Sequence, residues 1–183
     1  MTDADLAARF LRDPKLFTEV HDRHFAAIYR YAAGRLGAQT AEDVAAETFL
    51  VAFDRRGTFD AERGDLRVWL FGIATNLVAR HRRKEARHYR ALARVGVPPA
   101  AEGHESRVVA SVTAQRLLPR LAPALAQLTR GERDVLLLVA LGQLGYEEVA
   151  AALGISSGTV GSRLSRARKK LNSALTQEAR DER

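Results

Sequence analysis

Residues 145–171 read GYEEVAAALGISSGTVGSRLSRARKKL and predict two helices that are separated by a tight turn at Gly154. Apolar residues recur at helical spacing on both sides of the turn, namely Val149, Ala150 and Leu153 before it and Val160, Leu164, Ala167 and Leu171 after it. Ile155 lies in the turn, where it can fill the gap between the helices. Ser156 is placed to cap the second helix, because its hydroxyl can accept from backbone N–H groups of the first turn. The pattern is that of a helix-turn-helix, whose second helix is shaped to enter the major groove of DNA.

The second of these helices is basic. Between residues 161 and 171 it carries no acidic residue and five cationic ones, namely Arg163, Arg166, Arg168, Lys169 and Lys170. The polar or cationic side chains near its start, where base edges are usually met, are Thr159, Ser162, Arg163 and Arg166. A solvated basic face alone would explain the charge, but the turn, the cap and both apolar stripes coincide with it. This coincidence favours DNA binding.

The composition of the whole chain agrees with a nucleic-acid partner. It has 183 residues, a formal net charge of +7 and no cysteine. A basic balance favours a polyanionic partner, and the lack of cysteine excludes disulfides and thiolate metal sites. The first residues, MTDADLAARFLRDPK, lack the cationic start and long apolar run of a signal peptide, and no stretch approaches the ~20 apolar residues of a membrane span. We therefore expect a cytoplasmic chain without a membrane span.

The chain divides near its middle. Residues 95–106 read VGVPPAAEGHES, and the tandem prolines in this stretch bar a helix and indicate a linker. On both sides alanine and leucine dominate, and the alternation typical of strands is absent. The prediction is an all-α protein with two small helical domains, residues 1–94 and 119–183, which are joined by a flexible linker at residues 95–118.

Apolar spacing and capping signals predict the individual helices. Before the helix-turn-helix they are Phe17–Leu36, Ala41–Phe53, Leu66–Arg90, Val108–Leu118 and Glu132–Leu141. Thr40 and Asp43 are placed to form a capping box for the second of these helices, and Thr129 and Glu132 are placed to form one for the last.

An acidic face in the first domain has two explanations. Asp43 and Glu47 lie four residues apart and share an exposed side of their helix. Acidic residues near a helix N-terminus suit the helix dipole, but the same face can also dock a basic partner. The residues alone favour neither explanation.

A second basic tract follows the only tryptophan. Residues 80–94 hold seven cations, among them Arg80, Arg83 and Lys84, against the single acid Glu85, so this tract is a second candidate DNA contact. Trp69 is favoured as a core residue, although an aromatic side chain beside a basic tract can also stack on an unpaired base.

Three segments, in this order, resemble the sigma factors of bacterial RNA polymerase, specifically the extracytoplasmic-function (ECF) group. They are AEDVAAETFLVAF at residues 41–53, TFDAERGDLRVWLFGIATNLVARHRRK at residues 58–84 and YEEVAAALGISSGTVGSRLSRARKKL at residues 146–171. The part WLFGIATN is the most specific, since other helix-turn-helix families share some of the last segment. Members of this group keep the second and fourth conserved sigma regions, joined by a linker.

The resemblance implies a protein that directs core RNA polymerase to promoters and helps to melt them, without catalysis or a cofactor of its own. Asp43, Glu47 and Phe49 match the helix that docks on the clamp helices of the β′ subunit. The implied partners are the polymerase core, through those clamp helices and the β flap, promoter DNA in duplex and single-stranded form, and a cognate anti-sigma factor, which the family usually has.

The resemblance also implies two DNA contacts. The loop Asp54–Leu66 matches the segment that captures a flipped base of the minus-ten element, and its cations are Arg55, Arg56 and Arg63. Trp69 and Asn76 match positions near the junction where the strands separate. The helix from Ser157 to Arg166, continued by Lys169, matches the helix that reads the minus-thirty-five element.

The sequence disfavours two other classes of protein. The segment LTRGERDVLLLVALG before a helix-turn-helix also resembles regulators of the LuxR type, but the buried strands of a receiver domain are absent from residues 1–95. An enzyme is disfavoured because the chain has no phosphate loop, dinucleotide signature or nucleophile motif. His21 and His24 could share a metal ion, but the sequence offers no obvious third ligand.

Overall fold

The computed structural model describes residues 3–10, 12–61, 64–95 and 121–181, and all regular structure in these ranges is helical. The predicted all-α class is therefore confirmed. The first group of helices is α1 (Asp3–Phe10), α2 (Phe17–Leu36), α3 (Ala38–Asp54), α4 (Leu66–Arg80) and α5 (Arg82–Val95), with short 3-10 helices at Pro14–Leu16 and Arg56–Thr58. The second group is α6 (121–127), α7 (Arg130–Ala140), α8 (Tyr146–Leu153) and α9 (Ser157–Asp181). The helix expected at Val108–Leu118, and all but the first residue of the predicted linker, lie outside the described residues.

The core of the first domain forms where α2, α3 and α4 meet. Ile28 of α2, Val44 of α3 and Leu70 of α4 lie in this core, and each is at most 1% exposed. An aromatic cluster lines one side of the α2–α3 contact, and its members are Phe17, His21, Phe25, Phe49 and Phe53. This packing leaves the opposite side of α3 facing solvent.

Helix α3 begins earlier than predicted. It follows α2 after the single residue Gly37, whose φ of 81° is in the region that favours glycine. Thr40 therefore lies inside the helix rather than at its start, and no side chain caps this end. The predicted capping box of Thr40 and Asp43 is wrong, because the glycine permits a sharper turn than the spacing suggested.

The long helix predicted at Leu66–Arg90 is also wrong. The chain breaks at His81, with φ −96° and ψ 25°, and continues as a separate helix α5. The break turns Glu85 and Tyr89 inward, where they are 3% and 1% exposed. Glu85 is charged and Tyr89 carries a hydroxyl group, so the spacing of apolar residues along the sequence does not predict that they are buried.

The second domain packs α7 and α8 against α9. The predicted capping box is confirmed, since Glu132 N–H donates to Thr129 Oγ1 at 3.3 Å and Thr129 N–H donates to the Glu132 carboxylate at 2.9 Å. The apolar residues of α7 and α9, such as Val135, Leu138 and Leu164, are at most 1% exposed. The two domains contact each other through α4 and α8. Within the described ranges, none of the helices combines the length and the hydrophobicity that crossing a membrane requires.

Candidate nucleic-acid and protein interfaces

The helix-turn-helix forms as the sequence predicts. Gly154 ends α8 in the left-handed conformation, with φ 63° and ψ 38°. Ser156 Oγ then accepts from Thr159 N–H at 3.2 Å, which satisfies one of the free donors at the start of α9. Val160 is fully buried and Ile155 packs against the same core. The turn therefore fixes the angle at which α9 leaves the domain.

The side chains near the start of α9 differ in how free they are. Ser162 is exposed and donates to the Thr159 carbonyl of its own helix at 3.0 Å, Ser157 donates to the Glu147 carboxylate at 2.6 Å, and the Thr159 hydroxyl bonds Ser156 at 2.9 Å. Arg163 lies beside Gly131 at the start of α7 and is only partly exposed. The exposed cations further along the helix are Arg166, Arg168, Lys169 and Lys170. The predicted DNA face is thus basic and mostly open to solvent, but Arg163 points along the protein surface.

Glu132 holds the basic helix to the rest of its domain. Its side chain is 4% exposed and lies 2.7 Å from Lys170 Nζ and 3.5 Å from Arg166 Nε. The hydrogen bond from Lys170, together with those at Thr129, lowers the pKa of Glu132 to about 2. Arg166 and Lys170 therefore have a structural partner besides any nucleic acid.

The low pKa of Glu132 predicts how the domain responds to acid. The ionised form of Glu132 is more stable in the folded protein than in the unfolded chain. Its contribution to the free energy of unfolding is therefore complete above about pH 4.5 and is lost as the pH falls toward 2. We expect Glu132→Gln to lower the melting temperature at pH 6, and the difference from the wild type to shrink steadily below pH 4.5. Melting followed by circular dichroism from pH 7 to 2 measures this, and a difference that stayed constant would contradict it.

The segment before α4 is more ordered than a plain loop. Asp65 caps α4 by accepting from Arg67 N–H at 2.7 Å. Phe59 is 7% exposed, and its ring lies 5.1 Å from that of Trp69, which is partly buried. Trp69 therefore packs against the core with part of its ring exposed, and Asn76 lies two turns further along the same side of α4, where it is exposed.

The three arginines predicted to contact DNA from this segment have different surroundings. Arg55 is exposed, whereas Arg56 donates to the Phe53 carbonyl at 2.7 Å and its guanidinium lies 4.4 Å from the centre of the Phe53 ring. Arg63 lies outside the described residues. Of the two described arginines, Arg55 is the one whose side chain is turned to solvent.

A basic groove runs along α5. Because Glu85 faces inward, the charged side chains that α5 is seen to expose are all cationic. A groove of about 1130 Å³ is lined by Arg83, Lys84, Ala86, Arg87 and Arg90 of α5, by Arg80 at the end of α4 and by His81 between the two helices. An open groove of uniform positive charge can follow a phosphate backbone.

The acidic face of α3 is accessible. Asp43 is exposed, and Glu47 is partly exposed and lies 3.1 Å from Arg80 Nη1. Leu50, next to them, is 63% exposed, so the face combines charge with an apolar side chain. Phe49 is 2% exposed and packs in the aromatic cluster beneath, so it supports the face from below.

The two histidines that could share a metal ion have different surroundings. His21 lies 3.2 Å from Asp22, and His24 is 3% exposed, which lowers its pKa by desolvation. Among the described residues no group of three metal-ligating side chains comes together.

Two family models match this chain. The model of sigma-70 region 2 matches residues 20–88, and the model of sigma-70 region 4 matches residues 119–171. The first includes the acidic face, Trp69 and the start of the basic groove, and the second includes the whole helix-turn-helix. A LuxR-type regulator is not favoured, because the first match covers the half that such regulators do not share.

Individual proteins give the same result. The chain is 34% identical to the ECF RNA polymerase sigma factor SigL of Mycobacterium tuberculosis, over 87% of this chain and 89% of SigL. It is 32% identical to the ECF RNA polymerase sigma factor BldN of Streptomyces coelicolor, over 90% of this chain but only 62% of BldN.

The solved structures agree with the fold. CnrH in complex with the cytosolic domain of CnrY superposes with a TM-score of 0.70 at 30% identity, covering 96% of this chain and 97% of CnrH. The sigma factor RpoE of Bartonella quintana, in complex with the anti-sigma factor NepR, gives a TM-score of 0.61 at 25% identity, covering 87% and 96%. From these matches and the two helical domains, the chain belongs to the ECF group of the sigma-70 family of RNA polymerase sigma factors.

Proposed function

We propose that this sigma factor docks on core RNA polymerase through the acidic face of α3. Asp43 and Glu47 supply the charge, Leu50 supplies an exposed apolar contact and Phe49 holds the helix in place from the core. A face of this kind suits a basic partner surface, and the region-two helix of the family docks on the β′ clamp helices. The β flap is the second polymerase contact that we propose.

We propose two separate contacts with promoter DNA. Helix α9 reads the duplex minus-thirty-five element, with Ser157, Thr159, Ser162, Arg163 and Arg166 toward the bases and Lys169 toward phosphate. The segment before α4 and the exposed side of α4 hold the unpaired minus-ten strand, through Arg55, Arg56, Arg63, Trp69 and Asn76, and Arg80, Arg83 and Lys84 follow its backbone. The domain limits 1–94, 95–118 and 119–183 belong to the same proposal.

DNA melting by such a protein is driven by the free energy of binding and requires no covalent bond to be made or broken. Extruding and unstacking a base costs a few kcal/mol, which contacts to the unpaired strand can offset. The observation that carries this proposal is the pair of separate cationic surfaces, one on each domain, beside an acidic face that is accessible to a partner.

Regulation by a protein partner is part of the proposal. CnrH was solved with CnrY, and RpoE with the anti-sigma factor NepR. By analogy we propose that this chain also binds an anti-sigma factor and that it acts in the cytoplasm by binding alone.

Transcription in vitro tests the proposal. We expect this chain with core RNA polymerase to select one promoter class from a randomised library, and to make thymines near the start site reactive to permanganate. Core polymerase alone is the control. A chain that neither binds core nor enriches any sequence would contradict the proposed function.

A loop variant separates melting from docking. Because Phe59 and Asp65 have structural roles, only residues 60–64 are replaced by glycine and serine, together with Asn76→Ala. We expect permanganate reactivity to fall about tenfold, since contacts to unpaired bases are worth about 1–3 kcal/mol each. Core binding and duplex binding should persist, and a pre-melted template should restore part of the transcription. Open-complex formation at the wild-type level would show that this segment is only a connector.

A further inference from the structure

One carboxylate in the first turn of α7 lies against the basic helix α9. The side chain of Glu132 is 4% exposed, and its two oxygens face different partners. Oε2 accepts from Thr129 N–H at 2.9 Å and from Lys170 Nζ at 2.7 Å. Oε1 lies 3.5 Å from Arg166 Nε. One oxygen therefore serves the fold of the domain, and the other faces a side chain that we propose to contact DNA.

The contact with Glu132 involves one edge of the Arg166 guanidinium group. Nε lies on the side of the carboxylate, while 60% of the Arg166 side chain is exposed. A guanidinium group can bind two acceptors side by side, either through Nε and one Nη atom or through both Nη atoms. With Nε directed to Glu132, the edge formed by the two Nη atoms is the one available to DNA. Two such donors match the O6 and N7 acceptors of guanine in the major groove.

A buried anion can also hold an arginine away from DNA, but the geometry at Glu132 opposes this. Arg166 remains exposed, and its distance from the carboxylate is longer than that of Lys170, 3.5 Å against 2.7 Å. The hydrogen bond from Lys170 is the main reason why the pKa of Glu132 falls to about 2, so the carboxylate is ionised at neutral pH. Lys170 thus supplies most of the neutralising contact, and Glu132 attracts Arg166 without occupying its Nη donors.

Orientation matters here because the side chain of arginine is long and flexible. An arginine that rotates freely loses conformational freedom when it binds a base, and this loss weakens the contact. It can also turn to the phosphates, which carry no sequence information. A guanidinium group that is held by its Nε edge avoids part of this entropy loss and favours the base over the phosphate.

We infer that Glu132 is a positioning residue for base recognition, which orients Arg166 so that both of its Nη atoms meet a guanine in the minus-thirty-five element. This inference rests on the proposed function for the contact between α9 and DNA. It goes further by assigning the base that Arg166 reads, and by making sequence selectivity depend on a buried residue of another helix.

Glu132→Gln separates the two roles of the carboxylate. Glutamine keeps one acceptor oxygen for Thr129 and Lys170, but its amide group is a donor, as is Arg166 Nε, so the orienting contact is lost. The full chain with core polymerase is bound to duplexes that carry each of the four bases at each position of the minus-thirty-five element. We expect the preference for guanine to fall about tenfold at one position and the other positions to keep theirs. An equal loss of affinity for all sequences would overturn the inference.

Two controls distinguish positioning from stability. Thr129→Ala removes the other half of the capping box without changing the carboxylate, so it should lower the melting temperature and leave the base preference as it is. In a double-mutant cycle, Glu132→Gln should cause no further loss of preference after Arg166→Ala, but its full loss after Arg163→Ala. If Glu132→Gln does not fold, Glu132→Asp takes its place, because the shorter side chain keeps the charge for Lys170 and withdraws from Arg166.

The contact between Arg166 and Glu132 can also be measured without DNA. The NMR signal of Arg166 Nε–H in the free full chain is assigned by its loss in Arg166→Lys. We expect this proton to exchange with water more slowly than that of the exposed Arg168, and the difference to vanish in Glu132→Gln.

The outcomes separate this inference from the proposed function. If the wild type with core selects a sequence but Glu132→Gln changes neither the base preference nor the exchange rate, only the positioning role is wrong. If Glu132 protects Arg166 Nε–H but the wild type with core selects no sequence, the proposed function is wrong and Glu132 has a structural role alone.

Discussion

Replacing Asp43 and Glu47 by lysine should weaken binding to core RNA polymerase by about a hundredfold, the largest effect expected of any change in this protein. Both carboxylates are accessible on α3, and reversing them puts like charges against a basic partner surface. Neither side chain is part of the hydrophobic core, so the helices should form as in the wild type. A fluorescence titration with core measures the affinity, and circular dichroism checks the fold.

The control makes the same change of charge elsewhere on the domain. Glu19 and Asp22 lie on α2, where Glu19 is partly exposed and Asp22 is exposed, and both can also be replaced by lysine. We expect that variant to bind core with nearly the wild-type affinity. Equal losses in both variants would mean that net charge, rather than the face of α3, governs docking.

Replacing Arg163 and Arg166 by alanine should have the second largest effect, on recognition of the upstream duplex. Loss of a bidentate contact, in which an arginine makes two hydrogen bonds to one base, costs about 1–3 kcal/mol of binding free energy and relaxes the base preference at one position. A lost phosphate contact weakens all sequences alike and reduces the salt dependence of log K by about one unit for each contact. Binding to a set of duplexes at several salt concentrations distinguishes the two roles.

Arg166 also contacts Glu132, so a structural effect must be excluded. Lys170 makes the shorter contact with the same carboxylate, at 2.7 Å against 3.5 Å, and Lys170→Ala is therefore the matched control. We expect it to lower stability without changing the preferred sequence. If the double arginine variant keeps both its affinity and its salt slope, α9 does not face DNA.

Local signals in the sequence predicted local structure well. Helix α2 begins and ends at Phe17 and Leu36 as predicted, and the caps at Thr129 and Ser156 form with the expected bonds. These features depend on residues a few positions apart, whose interactions are set by helical geometry. Both apolar stripes of the helix-turn-helix were predicted for the same reason.

Contacts between the domains could not be predicted in this way. Glu85 is buried after the break at His81 because it pairs with Arg35 and Arg133. These two arginines lie on helices that are distant in sequence, so local spacing does not reveal the pairs. One signal was available, since Arg35 follows Ile28 by seven residues and so continues an apolar stripe of α2. A charged residue in such a stripe indicates a buried partner, but it does not say which one.

Four buried charged residues, namely Arg35, Glu85, Arg133 and Asp134, form ion pairs with one another, so the effect of a mutation at one depends on the state of the others. Each domain contributes one cation and one carboxylate, so loss of any single member leaves an uncompensated charge among the other three. Joint loss of Arg35 and Asp134 leaves Glu85 still paired with Arg133. Effects at these positions are therefore non-additive, and descendants of this sequence can change them in pairs more readily than one at a time.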